Sequence, residues 1–202
     1  MAELGGKRQL IGHDSTTLGG WDIENAPDWI DFRQDLVGER GWAYRYRKMI
    51  RLVPGLPELI IEHRLENTGE KEIDINNYNH NFILVDGVPY GPDYRVEFPF
   101  ATANPISIND LAWFRTNTIE VERPLGENSL WIPLFEGDGP VDYNAAVVRN
   151  MRTGATVGFK GDSPITRMVF WAVKRAVCPE PFIQLNLVPG QQREWSSRYR
   201  FG

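Results

Sequence analysis

Asn76, Asn77, Tyr78, Asn79, His80 and Asn81 put hydrogen-bonding side chains at six consecutive positions. They lie inside Lys71–Val85, a segment whose alternation reads as a β-strand. Asn is disfavoured in strands, so four Asn in six residues oppose the local preference. Such conflicts gather at functional sites. An amide offers a donor and an acceptor together, which matches sugar hydroxyls; the same amides would equally satisfy loop backbone. A neutral imidazole gives or takes a proton near neutral pH, so His80 suits acid/base work on a hemiacetal oxygen. The alternative is a structural histidine held by an Asn neighbour. Period-two alternation puts Asp74, Asn76, Tyr78, His80, Phe82 and Leu84 on one face. Asn76 and Tyr78 are therefore candidate ligand contacts beside His80.

Two other groups compete for a role. Tyr90-Gly91-Pro92-Asp93-Tyr94 is a Gly-Pro loop carrying an acid between two tyrosines, and loops on a rigid sheet often hold binding groups. It makes Asp93 a catalytic candidate and Tyr94 a binding one, against the plainer reading of a turn. Arg45 and Arg47 project from one strand face, where they could hold an anionic or hydroxyl-rich ligand. They fit a solvated outer face as well. His13, His63 and His80 lack H-x-H or H-x-x-x-H spacing, so no metal is expected. With no phosphate-cradling Gly-rich loop before a helix, and no G-x-S-x-G elbow, no cofactor is expected either.

These residues need a frame of strands. The chain has 202 residues, 42% hydrophobic and 24% charged, which fits one domain over 1–202. Residues 1–40 are rich in Gly and polar groups and read as irregular, with one or two short strands. Alternation begins at Trp42, followed by strands at Leu59–Leu65 and Lys71–Val85, with a turn at Asn67-Thr68-Gly69. Further strands are expected at Tyr94–Phe98, Thr118–Glu122, Leu130–Pro133, Ala145–Asn150, Thr156–Lys160, Arg167–Val173, Phe182–Val188 and Trp195–Phe201. Ile108–Phe114 reads as a short helix. Many short strands divided by turn signals predict an all-β, antiparallel sandwich. A net charge of −5, with no basic run beyond Arg45–Lys48, excludes nucleic acid as a partner. Cys178 is the single cysteine, so no internal disulfide forms, which suits a reducing compartment. No secretory leader and no run of 18 apolar residues stand in the sequence, so a cytoplasmic location and no membrane contact are expected.

The motifs Leu65-Glu66-Asn67-Thr68-Gly69, Tyr78-Asn79-His80-Asn81-Phe82, Gly91-Pro92-Asp93-Tyr94 and Phe98-Pro99-Phe100 resemble galactose mutarotase-like proteins. The likeness is strongest to a branch with a YNHNF signature, and Cys178-Pro179-Glu180-Pro181-Phe182, Pro189-Gly190 and Trp195 to Phe201 resemble that branch's last strands. The resemblance runs over about residues 42–201 and implies a supersandwich, shortened at its N-terminus because the family's chains are longer. A partner chain completing the sheet, as in a homodimer, would repair that deficit. In aldose 1-epimerases an Asn-His-x-x-Phe histidine protonates the sugar ring oxygen, which implies that role for His80. Their general base is a glutamate on the penultimate long strand, and alignment puts Gln184 there. An amide takes no proton at neutral pH, so Asp93, Glu180 or Tyr94 would have to serve. Glu180 lies four residues earlier, about 13 Å along a strand. The family's sugar-binding His-Gly-Gly region has only a loose echo in Gly12-His13 and Leu18-Gly19-Gly20.

The resemblance implies a carbohydrate-active protein, an isomerase related to aldose 1-epimerase, with a sugar or similar oxygenated ring as its small-molecule partner. Two alternatives stay open: a non-catalytic carbohydrate-binding module, to which Gln184 would be no loss, and a diverged isomerase, lyase or cyclase acting on another ring. The enzyme reading expects His80, Asp93 and Gln184 to converge in one pocket.

Overall fold

The computed structural model describes residues 20–202. The strands are β1 (Asp22–Ala26), β2 (Trp29–Val37), β3 (Ala43–Leu52), β4 (Glu58–Asn67), β5 (Ile73–Tyr78), β6 (Tyr94–Glu97), β7 (Ile106–Ile108), β8 (Ala112–Arg115), β9 (Thr118–Val121), β10 (Leu130–Gly139), β11 (Ala145–Asn150), β12 (Thr156–Gly161), β13 (Ile165–Val173), β14 (Ala176–Leu187) and β15 (Gln192–Phe201). They fall into two compact units, residues 20–77 with Gln184–Arg198, and Tyr78–Ile183 with Tyr199–Gly202. No helix among the described residues is long and apolar enough to cross a membrane.

The first unit carries the strand order β1-β2-β3-β4-β15. Here β1 and β2 form a hairpin, where the sequence reads as irregular with only short strands. Hydrophobic alternation does not reveal β2, because charge rather than apolar burial ties it to β3. Arg33 and Arg47 stand directly opposite across the two strands, and like charges so placed repel. Asp31, 1% exposed, takes both guanidiniums, at 2.7 Å from Arg33 and 2.9 Å from Arg47. Arg45 is held in the same way by Asp35 at 3.1 Å and Glu66 at 3.3 Å. The expected turn after β4 is built by Asn67, whose buried amide donates to the carbonyls of Lys71 and Leu187, both at 2.7 Å. Gly12, His13, Leu18 and Gly19 lie outside the described residues.

The second unit has two sheets, one ordered β15-β12-β11-β6-β9-β8-β7 and one in which β13 pairs with β10 and β14. Its core includes Tyr94, Val96, Ile119 and Val148 from the first sheet and Met168, Phe170 and Ala172 from the second, all without exposure. Burying such side chains stabilises the unit by about 1.5–3 kcal/mol each. Ile108–Phe114 is not a helix. Its apolar spacing imitates one, but Asn109 and Asp110 adopt φ of 52° and 53°, and the Leu111 N–H closes on the Ile108 carbonyl at 3.0 Å. Short polar residues tolerate that left-handed backbone, so the segment turns as the β7–β8 hairpin.

The strand expected over Lys71–Val85 stops at Tyr78, and the cause lies in β14. The Val177 N–H and carbonyl both bond Ile83, at 2.9 and 3.0 Å. Alternation then points residues 179 and 181 to the same edge. Both are proline, which has no N–H to donate. The ladder therefore fails opposite Asn79–Phe82 and resumes as the single bridge Ile83–Val177. Side chains stand in for it: Asn81 donates to the Pro179 carbonyl at 2.9 Å and accepts from the Tyr199 hydroxyl at 2.6 Å. The Ile83 N–H also reaches back to the Asn81 carbonyl at 2.9 Å, bending the chain at Phe82.

Burial alone would raise the pKa of Asp31, but hydrogen bonds and charge from Arg47 and Arg33 outweigh it and leave the carboxyl below its ordinary value of 3.8. A depressed carboxylate stabilises the fold fully above the unfolded-chain value, and the contribution is lost as pH falls through the folded value. Asp31→Asn is therefore expected to cost about 2 kcal/mol at pH 7. The gap to wild type should close below pH 3.8. Urea denaturation of both proteins at pH 7 and pH 3 checks this, and an equal gap at both would refute it.

Candidate functional site

Register places the site residues of the second unit on one sheet face. Trp131 lies opposite Trp171, and Trp171 opposite Cys178. One step along, Val169 faces Glu180; a further step brings Arg167 opposite Phe182. The alternate positions Met168, Phe170 and Ala172 point into the core, so this row points the other way. Trp131 is 58% exposed and Phe82 65%, while Glu180 is 6% exposed. The face is an aromatic surface around a sunken carboxylate.

His80 meets that carboxylate, with Nδ1 2.9 Å from Glu180 Oε1. Neither atom reaches solvent, and the approach is out of line for a hydrogen bond, so the contact is an ion pair when the imidazole is protonated. The imidazole stacks on Phe82 at 4.2 Å, meets Trp171 edge-on at 5.2 Å and lies 6.1 Å from Tyr78. Tyr78 stacks on Phe182 at 4.3 Å, and both rings are buried. Nδ1 is the ring nitrogen turned to Glu180, which puts Nε2 on the other edge of the imidazole.

The Cys178 thiol completes a His80–Cys178–Glu180 group whose donor atoms lie within 4.8 Å of one another. Nitrogen, sulfur and oxygen together suit a transition ion. Two donors on one tetrahedral ion, with bonds of about 2.1 Å, stand about 3.4 Å apart. The His80 and Glu180 atoms are nearer than that, at 2.9 Å, and engage each other. Burial, and then the Glu180 charge, push the Cys178 thiol well above its ordinary range.

The other candidates lie elsewhere. Asp93 belongs with the first-described sheet of this unit; its backbone carbonyl holds the Met151 N–H at 2.6 Å and its carboxylate faces Arg152 at 3.6 Å. A short turn to the β11–β12 hairpin has captured it, so Asp93 does not join His80. Tyr94 is wholly buried. Its hydroxyl sits 2.9 and 2.7 Å from the Val85 and Val88 carbonyls and accepts from the Val85 N–H at 3.2 Å, which makes it a core brace. Arg47 is taken up by Asp31. Arg45 borders a groove of about 570 Å³ lined also by Trp42, Tyr44, Gly69 and Glu70, but its charge is spent on Asp35 and Glu66. Gln184 is exposed and its amide donates to Asp74; Asn76, on β5, is half-buried. The acid on β14 that meets His80 is Glu180, and not the Gln184 position that alignment gave. Sequence reasoning left out Trp131, Trp171 and Arg167. The alternation Arg167, Val169, Trp171 against Met168, Phe170, Ala172 was the available signal.

No family sequence model matches the chain, and no curated protein matches it by sequence. Solved structures do. A galactose mutarotase related enzyme from Lactobacillus acidophilus superposes with a TM-score of 0.60 at 14% identity, covering 90% of this chain and 71% of that one. A GalM/aldose epimerase homologue from C. elegans gives 0.63 at 14%, covering 90% and 68%. A galactose mutarotase-like protein from Lactobacillus casei gives 0.57 at 11%, covering 90% and 73%. The chain therefore has the galactose mutarotase-like fold, an antiparallel β-sandwich, and spans about two thirds to three quarters of these neighbours' lengths.

Cys178 is buried, and a thiol raised by burial is a poor nucleophile. Ellman's reagent at pH 8 should leave it untouched in the native protein and titrate one thiol in guanidinium chloride. Full reaction in the native state would show that the group opens to solvent.

Proposed function

We propose that the protein is an aldose 1-epimerase-like isomerase acting on a sugar or similarly oxygenated ring, with His80 and Glu180 as its acid/base pair. The observation that carries this reading is the 2.9 Å contact of imidazole and carboxylate on an aromatic sheet face. Ring opening at an anomeric centre needs one group to protonate the ring oxygen and another to draw the proton from the anomeric hydroxyl. An imidazolium and a carboxylate supply those two halves. His80 Nε2 delivers the proton to the ring oxygen, Glu180 accepts the hydroxyl proton, and reversal on the opposite carbonyl face inverts the anomer. The exposed rings of Phe82 and Trp131, with Trp171 beside them, suit the C–H faces of a pyranose. The fold of the neighbours supports a carbohydrate-related role. The absence of a base at Gln184, which favoured a binding module, loses its weight once Glu180 is the partner considered.

Polarimetry of freshly dissolved α-D-galactose tests the reading. Wild type should accelerate anomer exchange, and His80→Asn and Glu180→Gln should each lower the catalysed rate by about 10²-fold or more. Equal acceleration by wild type and both variants would exclude the pair. Sugar binding without any acceleration in wild type would identify a binding module instead.

A further inference from the structure

Arg167 differs from Arg95, Arg115 and Arg149, three other strand arginines of its unit. Arg95 and Arg115 share Glu120, Arg115 also reaches Glu122, and Arg149 faces Glu97. Arg167 has no carboxylate within ion-pair distance among the described residues, although Glu136 is its cross-strand neighbour. Its guanidinium carbon sits over Phe182 instead, 3.9 Å from the ring centroid. Phe182 is the ring that carries Tyr78, and Tyr78 adjoins His80.

A contact with a ring face engages the π cloud and uses none of the guanidinium N–H groups, which can meet a planar or tetrahedral anion in bidentate fashion. Arg167 stands two residues along β13 from Val169, the partner of Glu180. Two residues advance about 6.6 Å, comparable to a pyranose ring with its exocyclic carbon. A ring with its anomeric end at His80 and Glu180 would then carry its far substituent toward Arg167.

Resting on the carbohydrate reading above, we propose that Arg167 reads an anionic group on the ligand, so that the site takes a sugar bearing a carboxylate or a phosphate in preference to a neutral one. An unpaired, half-buried cation beside an aromatic surface is costly without such a counter-charge. Occupation by the ligand anion supplies it.

The experiment is equilibrium binding by calorimetry at low salt. D-Galactose, D-galacturonate and D-galactose 6-phosphate are titrated into wild type, Arg167→Gln and Arg167→Lys, with folding of each checked by near-UV circular dichroism. One or both anions should bind wild type about tenfold or more tightly than galactose. Arg167→Gln should abolish that preference and Arg167→Lys keep part of it, as a point charge without the fork. Which anion gains separates uronates from sugar phosphates. Galactose binding as tightly as both anions overturns the proposal, as does a preference that survives in both variants. Accelerated exchange of galactose with no anion preference defeats this inference alone. An Arg167-dependent preference without any exchange defeats only the epimerase reading. Failure of all three sugars to bind defeats both.

Discussion

A strand pairs only along an edge that offers donors, and β14 withholds two of them at Pro179 and Pro181. The rest of the site follows from that omission. Without N–H groups at those positions the neighbouring segment leaves the ladder after Tyr78, and Asn81 must bridge the gap with its side chain. The segment is then free to bend at Phe82 and to lay the His80 ring over Glu180. An unbroken strand would bind the backbone of residues 79–82 into regular pairing and fix His80 by the pleat alone. The asparagines that oppose strand propensity are thus part of the mechanism of the break, with Asn81 satisfying backbone that the prolines leave open.

Charge is handled differently on the two kinds of surface. In the first unit, Arg33 and Arg47, facing one another across β2 and β3, are neutralised by Asp31, and Arg45 by Asp35 and Glu66. On the β10–β13–β14 face, the buried Glu180 has His80, and Arg167 lies against an aromatic ring. An arginine already matched by carboxylates has little left for a ligand. One held over a ring face spends none of its N–H donors on that contact.

Much of the frame was legible because alternation and turn chemistry act locally. β3, β4, β11 and the outer half of β15 follow from period-two patterning, and Asn67-Thr68-Gly69 from its turn residues. Ile108–Phe114 misleads because Ile108, Leu111, Ala112 and Phe114 mimic helical spacing, while two positive φ angles decide the outcome. The first half of β14 stays hidden, since prolines argue against a strand unless its neighbour has already left. His80 was readable as a candidate from residue type and motif. Its partner was not, because Glu180 and Gln184 lie on the same side of one strand, and only the path of the facing segment shows which of them it meets. Tyr94 misleads for a related reason: a loop motif suggests a ligand contact, whereas the hydroxyl is bound up with Val85 and Val88 inside the core.

The two prolines of β14 bear on more than the placing of a histidine. Ala176–Ile183 is buried at every position and, Glu180 apart, carries apolar side chains, and a strand of this kind is hazardous whenever its cover lifts. If the Asn79–Phe82 segment peels away, the edge laid bare carries carbonyls at 179 and 181 but no amide hydrogens. A second chain arriving there cannot extend an antiparallel ladder across it. The residues that open the sheet for a side chain therefore also guard it against templated self-association.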